Sequence, residues 1–153
     1  AVSNYRDKDL QDWATYCSVK IKIQKDMDHA IAKKALQGAF YAIKEEKAYE
    51  YSGLIFQSHF GECLDISNTE ILLDIAEKIG LDKKEFLSII ETNHFDKQLT
   101  SNAQELIDKG GFGSPTMFVE DKMFFGNDRM NLVEFAIGQA SGKILVIPGQ
   151  HNS

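Results

Sequence analysis

The clearest structural signal in this 153-residue chain is GFGSPTMFV at residues 111–119, which is followed by MFFGNDR at residues 123–129. Two short apolar runs lie on either side of an acidic Glu-Asp pair, and such runs are typical of strands. The spacing predicts strands at Thr116–Val119 and Lys122–Phe125, joined in a tight antiparallel hairpin. After the hairpin a helical pattern resumes and continues to about Ala140.

The loop before this hairpin and the turn after it have the chemistry of a ligand-binding site. At Ser114-Pro115 a cis peptide can turn carbonyl and amide edges toward solvent, where an extended, peptide-like ligand can pair with them. At Asn127 a helix begins, with that residue as its predicted N-cap and with free N–H groups that suit a carboxylate. Taken singly, each residue also has a structural explanation, as a turn proline, a helix cap or a first-turn acid. Together they favour a binding site formed by Ser114, Pro115, Asn127 and Asp128.

Upstream of residue 110 the pattern is almost entirely helical. The apolar spacing predicts a short helix at Asp7–Cys17, with Cys17 buried on its apolar face. Alternating apolar residues and lysines predict a strand at Val19–Ile23. Helices are expected throughout residues 28–109, and the tail from residue 143 onward is expected to be extended or loose. Breaks between these helices are expected near residues 46–47, 61–67, 80 and 93.

Helix boundaries within residues 28–109 are indicated by capping residues. Ser67 with Glu70 fits a capping box, in which the serine accepts from a free amide of the first turn. Asp82 with Glu85 repeats the arrangement ahead of the next apolar stripe. Gly80 between them is expected to end the preceding helix.

The same motifs resemble a known family. GFGSPTMFV followed by MFFGNDRM is similar to the C-terminal signature shared by kappa-class glutathione transferases and 2-hydroxychromene-2-carboxylate isomerases, which belong to the DsbA-like branch of the thioredoxin fold. The resemblance also covers Tyr5–Trp13 and Ile66–Phe86. It implies an α/β, thioredoxin-like (DsbA-like) fold with a large all-helical insertion.

The resemblance implies a division of the chain into three parts. Residues 1–27 and 110–142 correspond to the thioredoxin-like core, residues 28–109 to the helical insertion and residues 143–153 to a C-terminal tail. Family members begin with a strand, a loop that carries a catalytic serine, and a helix. No counterpart precedes Ala1, so we expect the first βα unit to be missing from this chain and leave the catalytic residue unassigned.

The resemblance further implies a glutathione-dependent isomerase or transferase that acts on a small hydrophobic or aromatic electrophile. Glutathione would lie extended beside Ser114 and Pro115, with its γ-glutamyl carboxylate at the helix start formed by Asn127 and Asp128. Tyr49 and Tyr51 are the candidates for the substrate pocket, because a tyrosine hydroxyl prefers a wet edge, whereas Phe40 and Phe56 fit interior helix faces better. Without its serine segment, this chain by itself is expected to be inactive.

Composition narrows the classes of partner. The formal charge of −6 argues against a general nucleic-acid surface or an anionic membrane surface. No apolar run approaches transmembrane length, and the four histidines are too widely separated for a metal site. A small-molecule substrate is expected, together with a homodimer or a strand-complemented assembly, because a missing central strand would leave two sheet edges open.

The two cysteines, Cys17 and Cys63, are far from any C-x-x-C spacing. Their separation disfavours a dithiol redox centre, and two unpaired thiols fit a reducing, cytoplasmic compartment. Two alternatives remain open at this stage. One is a DsbA-like thiol–disulfide oxidoreductase whose C-x-x-C lies upstream, and the other is a catalytically silent binding module.

Overall fold

The computed structural model describes residues 2–22 and 32–143. The chain divides into two compact units, Ala1–Leu99 and Thr100–Ser153. The division into a thioredoxin-like core and a helical insertion at residues 28–109 stays a prediction. In the described part of the chain, no helix has the length and apolar content that a membrane-spanning segment needs.

Helices form the first unit, as the periodicity predicts. They are α1 (Val2–Tyr16), α2 (Lys33–Lys44), α3 (Ala48–Phe56), α4 (Thr69–Lys78), α5 (Lys83–Thr92) and the start of α6 (Asp96–Asp108), and a π-helical turn, Gln57–Gly61, extends α3. Helix α2 packs against α3 and α5, and α4 packs against α5. Their apolar faces enclose the core of the unit, which includes Tyr41, Tyr51, Leu72, Phe86 and Ile90.

Gly38 lets α2 approach its neighbours closely, and the buried amide of Gln37 links α2 to the start of α6. A Cβ atom on Gly38 would clash with the Tyr51 hydroxyl and would lie 2.7 Å from Cζ of Phe86. The buried Gln37 side chain accepts from the Phe95 N–H at 2.6 Å and donates to the Asp96 carboxylate at 2.7 Å. Both ends of this amide are therefore satisfied, which a buried polar group requires.

Two of the predicted helix boundaries are confirmed and one is displaced by a residue. The Asp82 carboxylate caps α5 by accepting from the Glu85 N–H at 2.8 Å, and Gly80 ends α4 at φ 77°. The cap of α4 is not Ser67 but Asn68, whose side chain accepts from Glu70 at 2.9 Å. Ser67 instead donates to the carboxylate of Asp65, so its hydroxyl is engaged before the helix begins.

The strand predicted at Val19–Ile23 is absent over residues 19–22, and Ile23 lies outside the described residues. An alternating pattern specifies an extended backbone, but a strand also needs a partner. The Lys22 N–H donates instead to the Phe60 carbonyl in the π-helical turn at 2.7 Å. Burial of Cys17 was also a wrong prediction, because this residue follows the last residue of α1 and its thiol is exposed.

The second unit contains the hairpin and the last helix. Strands β1 (Thr116–Val119) and β2 (Lys122–Phe125) have the predicted boundaries and pair antiparallel, with Thr116 opposite Phe125. A 3₁₀ turn, Asn127–Arg129, leads into α7 (Met130–Ala140), which packs on β1 and buries Val133 and Ala136. The predicted tail lies outside the described residues, apart from its first residue.

Candidate functional site

The hairpin brings the two predicted binding segments together. Extending the strand register by one pair places Pro115 opposite Gly126, and the Gly126 N–H donates to the Pro115 carbonyl at 3.0 Å. The Ser114–Pro115 peptide bond is cis. Ser114, Pro115, Asn127 and Asp128 are all exposed.

One edge of β1 is open among the described residues, since the only strand that pairs with it there is β2. In an antiparallel ladder, hydrogen-bonded and non-hydrogen-bonded pairs alternate. Because Pro115 and Gly126 form a hydrogen-bonded pair, the main-chain groups of Thr116 and Phe118 face away from β2. Ser114 immediately precedes this row. The site therefore offers an extended ligand a row of main-chain donors and acceptors.

The helix start differs from the prediction in its capping residue. Gly126, at φ 105° and ψ 149°, occupies the N-cap position, and no side chain caps the turn. Asn127 lies within the first turn, so its predicted role as N-cap is wrong. The backbone reverses at Gly126 with a positive φ that glycine adopts readily, and this reversal starts the turn one residue early. The exposed N–H groups at this turn remain suited to an anion.

Asp128 is oriented by its two neighbours. Its Oδ2 accepts from Nη1 of Arg129 at 2.8 Å, while its Oδ1 would lie 2.6 Å from a Cβ atom on Gly126. Glycine at position 126 therefore leaves the space that this carboxylate occupies. Both charged side chains are about half exposed, so the ion pair orients the carboxylate more than it stabilises the fold.

An exposed aromatic pair beside the loop escaped the sequence analysis. The rings of Phe112 and Phe125 have centroids 4.6 Å apart, and Phe112 is 71% exposed. Gly113 allows the contact, because a Cβ atom there would lie 2.8 Å from Cε2 of Phe125. The two phenylalanines are visible in the sequence as the GFG and FF motifs, but only the folded structure shows that their rings are in contact. They give the site an apolar border next to Ser114.

The two candidate pocket tyrosines belong to the first unit and differ in environment. Tyr51 is 1% exposed, its hydroxyl donates to the Ala35 carbonyl at 3.0 Å, and burial raises the pKa of its phenol. The expectation of a wet hydroxyl is therefore wrong for Tyr51. Tyr49 is 92% exposed. Phe56, which was expected to face the interior, is 62% exposed.

Comparison with known proteins identifies relatives that match most of the chain. The family model for the DSBA-like thioredoxin domain matches residues 3–138. A 2-hydroxychromene-2-carboxylate isomerase from Pseudomonas putida is 26% identical over 136 residues, which are 89% of this chain and 66% of the relative. The uncharacterized protein YwbO from Bacillus subtilis (strain 168) is 28% identical over 137 residues, 88% of this chain and 68% of the relative.

A solved structure of 2-hydroxychromene-2-carboxylate isomerase superposes on this chain with a TM-score of 0.77 at 26% sequence identity. The match covers 90% of this chain and 66% of the solved one. The chain thus spans about two thirds of the length of the relatives it matches. The predicted fold, a helix-rich DsbA-like thioredoxin fold, is confirmed by the family match and by this superposition.

Proposed function

Because the chain belongs to the family of DsbA-like thioredoxin domains, we propose that it serves a glutathione-dependent isomerisation or transfer reaction on a small hydrophobic or aromatic electrophile. Relatives named 2-hydroxychromene-2-carboxylate isomerase support the isomerase form of this proposal. The observation that carries it is the hydrogen bond from Gly126 to Pro115, which sets the exposed loop beside the exposed helix start.

The residues at this position fit a tripeptide thiol. The open edge of β1, with Ser114 at its start, would hold the ligand main chain in an extended form. The hydrogen bond between Gly126 and Pro115 places Asn127 and Ser114 each next to a residue of one bonded pair. A tripeptide extends over roughly 10 Å, so one ligand reaches both segments. Bound glutathione would supply a thiol nucleophile.

Charge complementarity fixes the direction of the ligand in this proposal. The N–H groups at Asn127 and Asp128 would hold the γ-glutamyl carboxylate, as a helix start holds anions. The Asp128 carboxylate would accept from the ligand ammonium, and its pairing with Arg129 keeps it turned toward Gly126. Phe112 and Phe125 would shield the ligand from water on one side. These residues bind and orient the ligand.

For the substrate pocket we retain Tyr49 and Tyr51 as proposed residues. Tyr51 forms part of the wall of a cavity of about 280 Å³ in the first unit, and it would contribute its ring, because its hydroxyl is already bonded to Ala35. Tyr49 presents its exposed ring on the surface of α3.

We also propose a homodimer or a strand-complemented assembly, since the open edge of β1 can accept a strand. We further propose a cytoplasmic location, since both described cysteines are free thiols.

Calorimetric titration with reduced glutathione tests the proposal. We expect measurable binding at millimolar ligand, and we expect Asp128→Ala to weaken it about tenfold or more, since the substitution removes a charge-assisted hydrogen bond. Asp121→Ala is the matched control, because it removes the same charge from the exposed hairpin turn. Absence of heat, or equal affinity for the wild type and Asp128→Ala, would contradict the proposal.

Thiol–disulfide exchange is a second candidate, and the match to the DSBA-like family is the observation that favours it. The described cysteines, Cys17 and Cys63, stand 46 positions apart in the sequence and are not paired. An insulin-reduction assay separates the two functions. Acceleration of insulin reduction by this protein, without glutathione binding, would favour exchange over isomerisation.

A further inference from the structure

Phe112 is held in a fixed loop although its side chain is 71% exposed. The Gly111 N–H donates to the Leu106 carbonyl at 2.8 Å, and the Thr116 hydroxyl donates to the Gly113 carbonyl at 2.5 Å. The main chain is therefore fixed on both sides of Phe112. Apolar area stabilises a fold only when it is removed from water, so a fixed and exposed ring suits a binding contact better than core packing.

Phe112 and Phe125 form one apolar surface on the face of the hairpin that lies away from α7. Their rings have centroids 4.6 Å apart at an interplanar angle of 45°. The Lys122 ammonium donates to the Gln139 side chain of α7 at 3.3 Å, so Lys122 lies on the face of β2 that is turned toward this helix. Side chains alternate along a strand, and Phe125 therefore points to the opposite face, where it is 42% exposed. A planar group can reach both rings from solvent.

This surface lies close to the place proposed for glutathione. Ser114 is two residues from Phe112, so the Cα atoms of the two residues are at most about 7 Å apart. In the proposed function the glutathione main chain lies extended beside Ser114. Because α7 packs on one face of β1, a group attached to the glutathione sulfur finds free space on the other face, which carries Phe125 and, against it, Phe112.

We propose that Phe112 is a specificity-determining residue, whose exposed ring stacks on the aromatic ring of the electrophile beside the glutathione sulfur. Aromatic pairs prefer offset-stacked or edge-to-face arrangements, and a ring with a free face can form either with an incoming ring. A saturated electrophile of the same size lacks this contact. The inference rests on the proposed function, because bound glutathione brings the electrophile to this surface.

The test compares S-benzylglutathione with S-(cyclohexylmethyl)glutathione by calorimetric titration of the whole chain. Both compounds carry a six-membered ring at the position of the electrophile, but only the first ring is aromatic. We expect the wild type to bind the benzyl compound about three- to tenfold more tightly, which is the usual contribution of an aromatic pair beyond burial. Equal affinities for the two compounds, with glutathione itself bound, would overturn the role of Phe112 and leave the proposed function intact. No binding of glutathione or of either compound would contradict both.

Three variants assign the preference to one ring. Phe112→Ala should bring the affinities for the two compounds to equality, and any loss common to both compounds cancels in this ratio. Phe112→Tyr keeps an aromatic ring and should keep the preference. Tyr5→Ala removes a ring of similar exposure, 69%, from α1 in the first unit and should keep it as well. A wild-type preference in Phe112→Ala, with circular dichroism showing a folded variant, would refute the inference.

Discussion

Substitution of Gly38 by alanine tests the packing of the first unit. In ordinary contacts a Cβ atom lies at least 3.4 Å from its neighbours, so the Phe86 ring would have to retreat by about 0.7 Å. The Tyr51 hydroxyl would also be displaced, and it would lose its hydrogen bond to the Ala35 carbonyl. Both neighbours are fully buried, so neither can move without disturbing the core.

The magnitude follows from three opposing effects. Overpacking of a dense core costs about 1–3 kcal/mol. An unsatisfied buried hydroxyl costs about 1–3 kcal/mol more. Alanine recovers about 1 kcal/mol, because its helix propensity exceeds that of glycine. We therefore expect Gly38→Ala to lower the free energy of unfolding by about 1–5 kcal/mol.

The assay is urea denaturation followed by far-ultraviolet circular dichroism, with Gly53→Ala as the matched control. Gly53 also lies within a helix, but a Cβ atom there would meet nothing within 4 Å. The control should raise the free energy of unfolding by about 0.5–1 kcal/mol. If Gly38→Ala proved as stable as Gly53→Ala, the close approach of α2 to Tyr51 and Phe86 would be refuted.

Three further predictions concern the site and the core. Gly126→Ala should weaken glutathione binding at least about tenfold, because the new methyl group would displace the Asp128 carboxylate and the positive φ disfavours alanine. The control is Gly80→Ala, at φ 77° with no neighbour within 4 Å, which should lower stability but leave binding unchanged. Calorimetric titration of both variants with glutathione measures the difference. Gln37→Leu should lower the free energy of unfolding by about 1–3 kcal/mol, since it leaves the Phe95 N–H without its acceptor, and a urea titration that showed no change would contradict this. Burial and then a hydrogen bond to the Glu85 carboxylate raise the pKa of Tyr41 to about 12, above its unfolded value of 10.0. The stability that this shift contributes is complete below pH 10 and is lost as the pH rises toward 12. Tyr41→Phe should therefore show a shallower alkaline decline in the free energy of unfolding.

Local sequence patterns were sufficient to predict those strand boundaries and helix caps that depend only on neighbouring residues. Both strands of the hairpin have their predicted boundaries, because two short apolar runs and a two-residue turn specify a hairpin within one short segment. The cap at Asp82 was equally local, since its partner amide is three residues away. The predicted cap of α4 was wrong by one residue, because the Ser67 hydroxyl is already bonded to the carboxylate of Asp65.

Burial could not be predicted in the same way, because it depends on which helices meet. Cys17, Tyr51 and Phe56 each had an environment opposite to the expected one, although all three lie in or beside helices that were correctly expected. A helical stripe shows which residues share a face but not what covers that face. The buried amide of Gln37 had no signal in the sequence, since its partners are 58 and 59 residues away.

For the candidate site, the sequence alone determined the residue types, namely a Ser-Pro step before one strand and a Gly-Asn-Asp turn after the other. Tertiary structure alone decided that the Gly126 N–H pairs with the Pro115 carbonyl and that Phe112 meets Phe125. The physical reason is that a residue type fixes what bonds a side chain can form. The partner is chosen by the register and the packing that bring distant residues within reach.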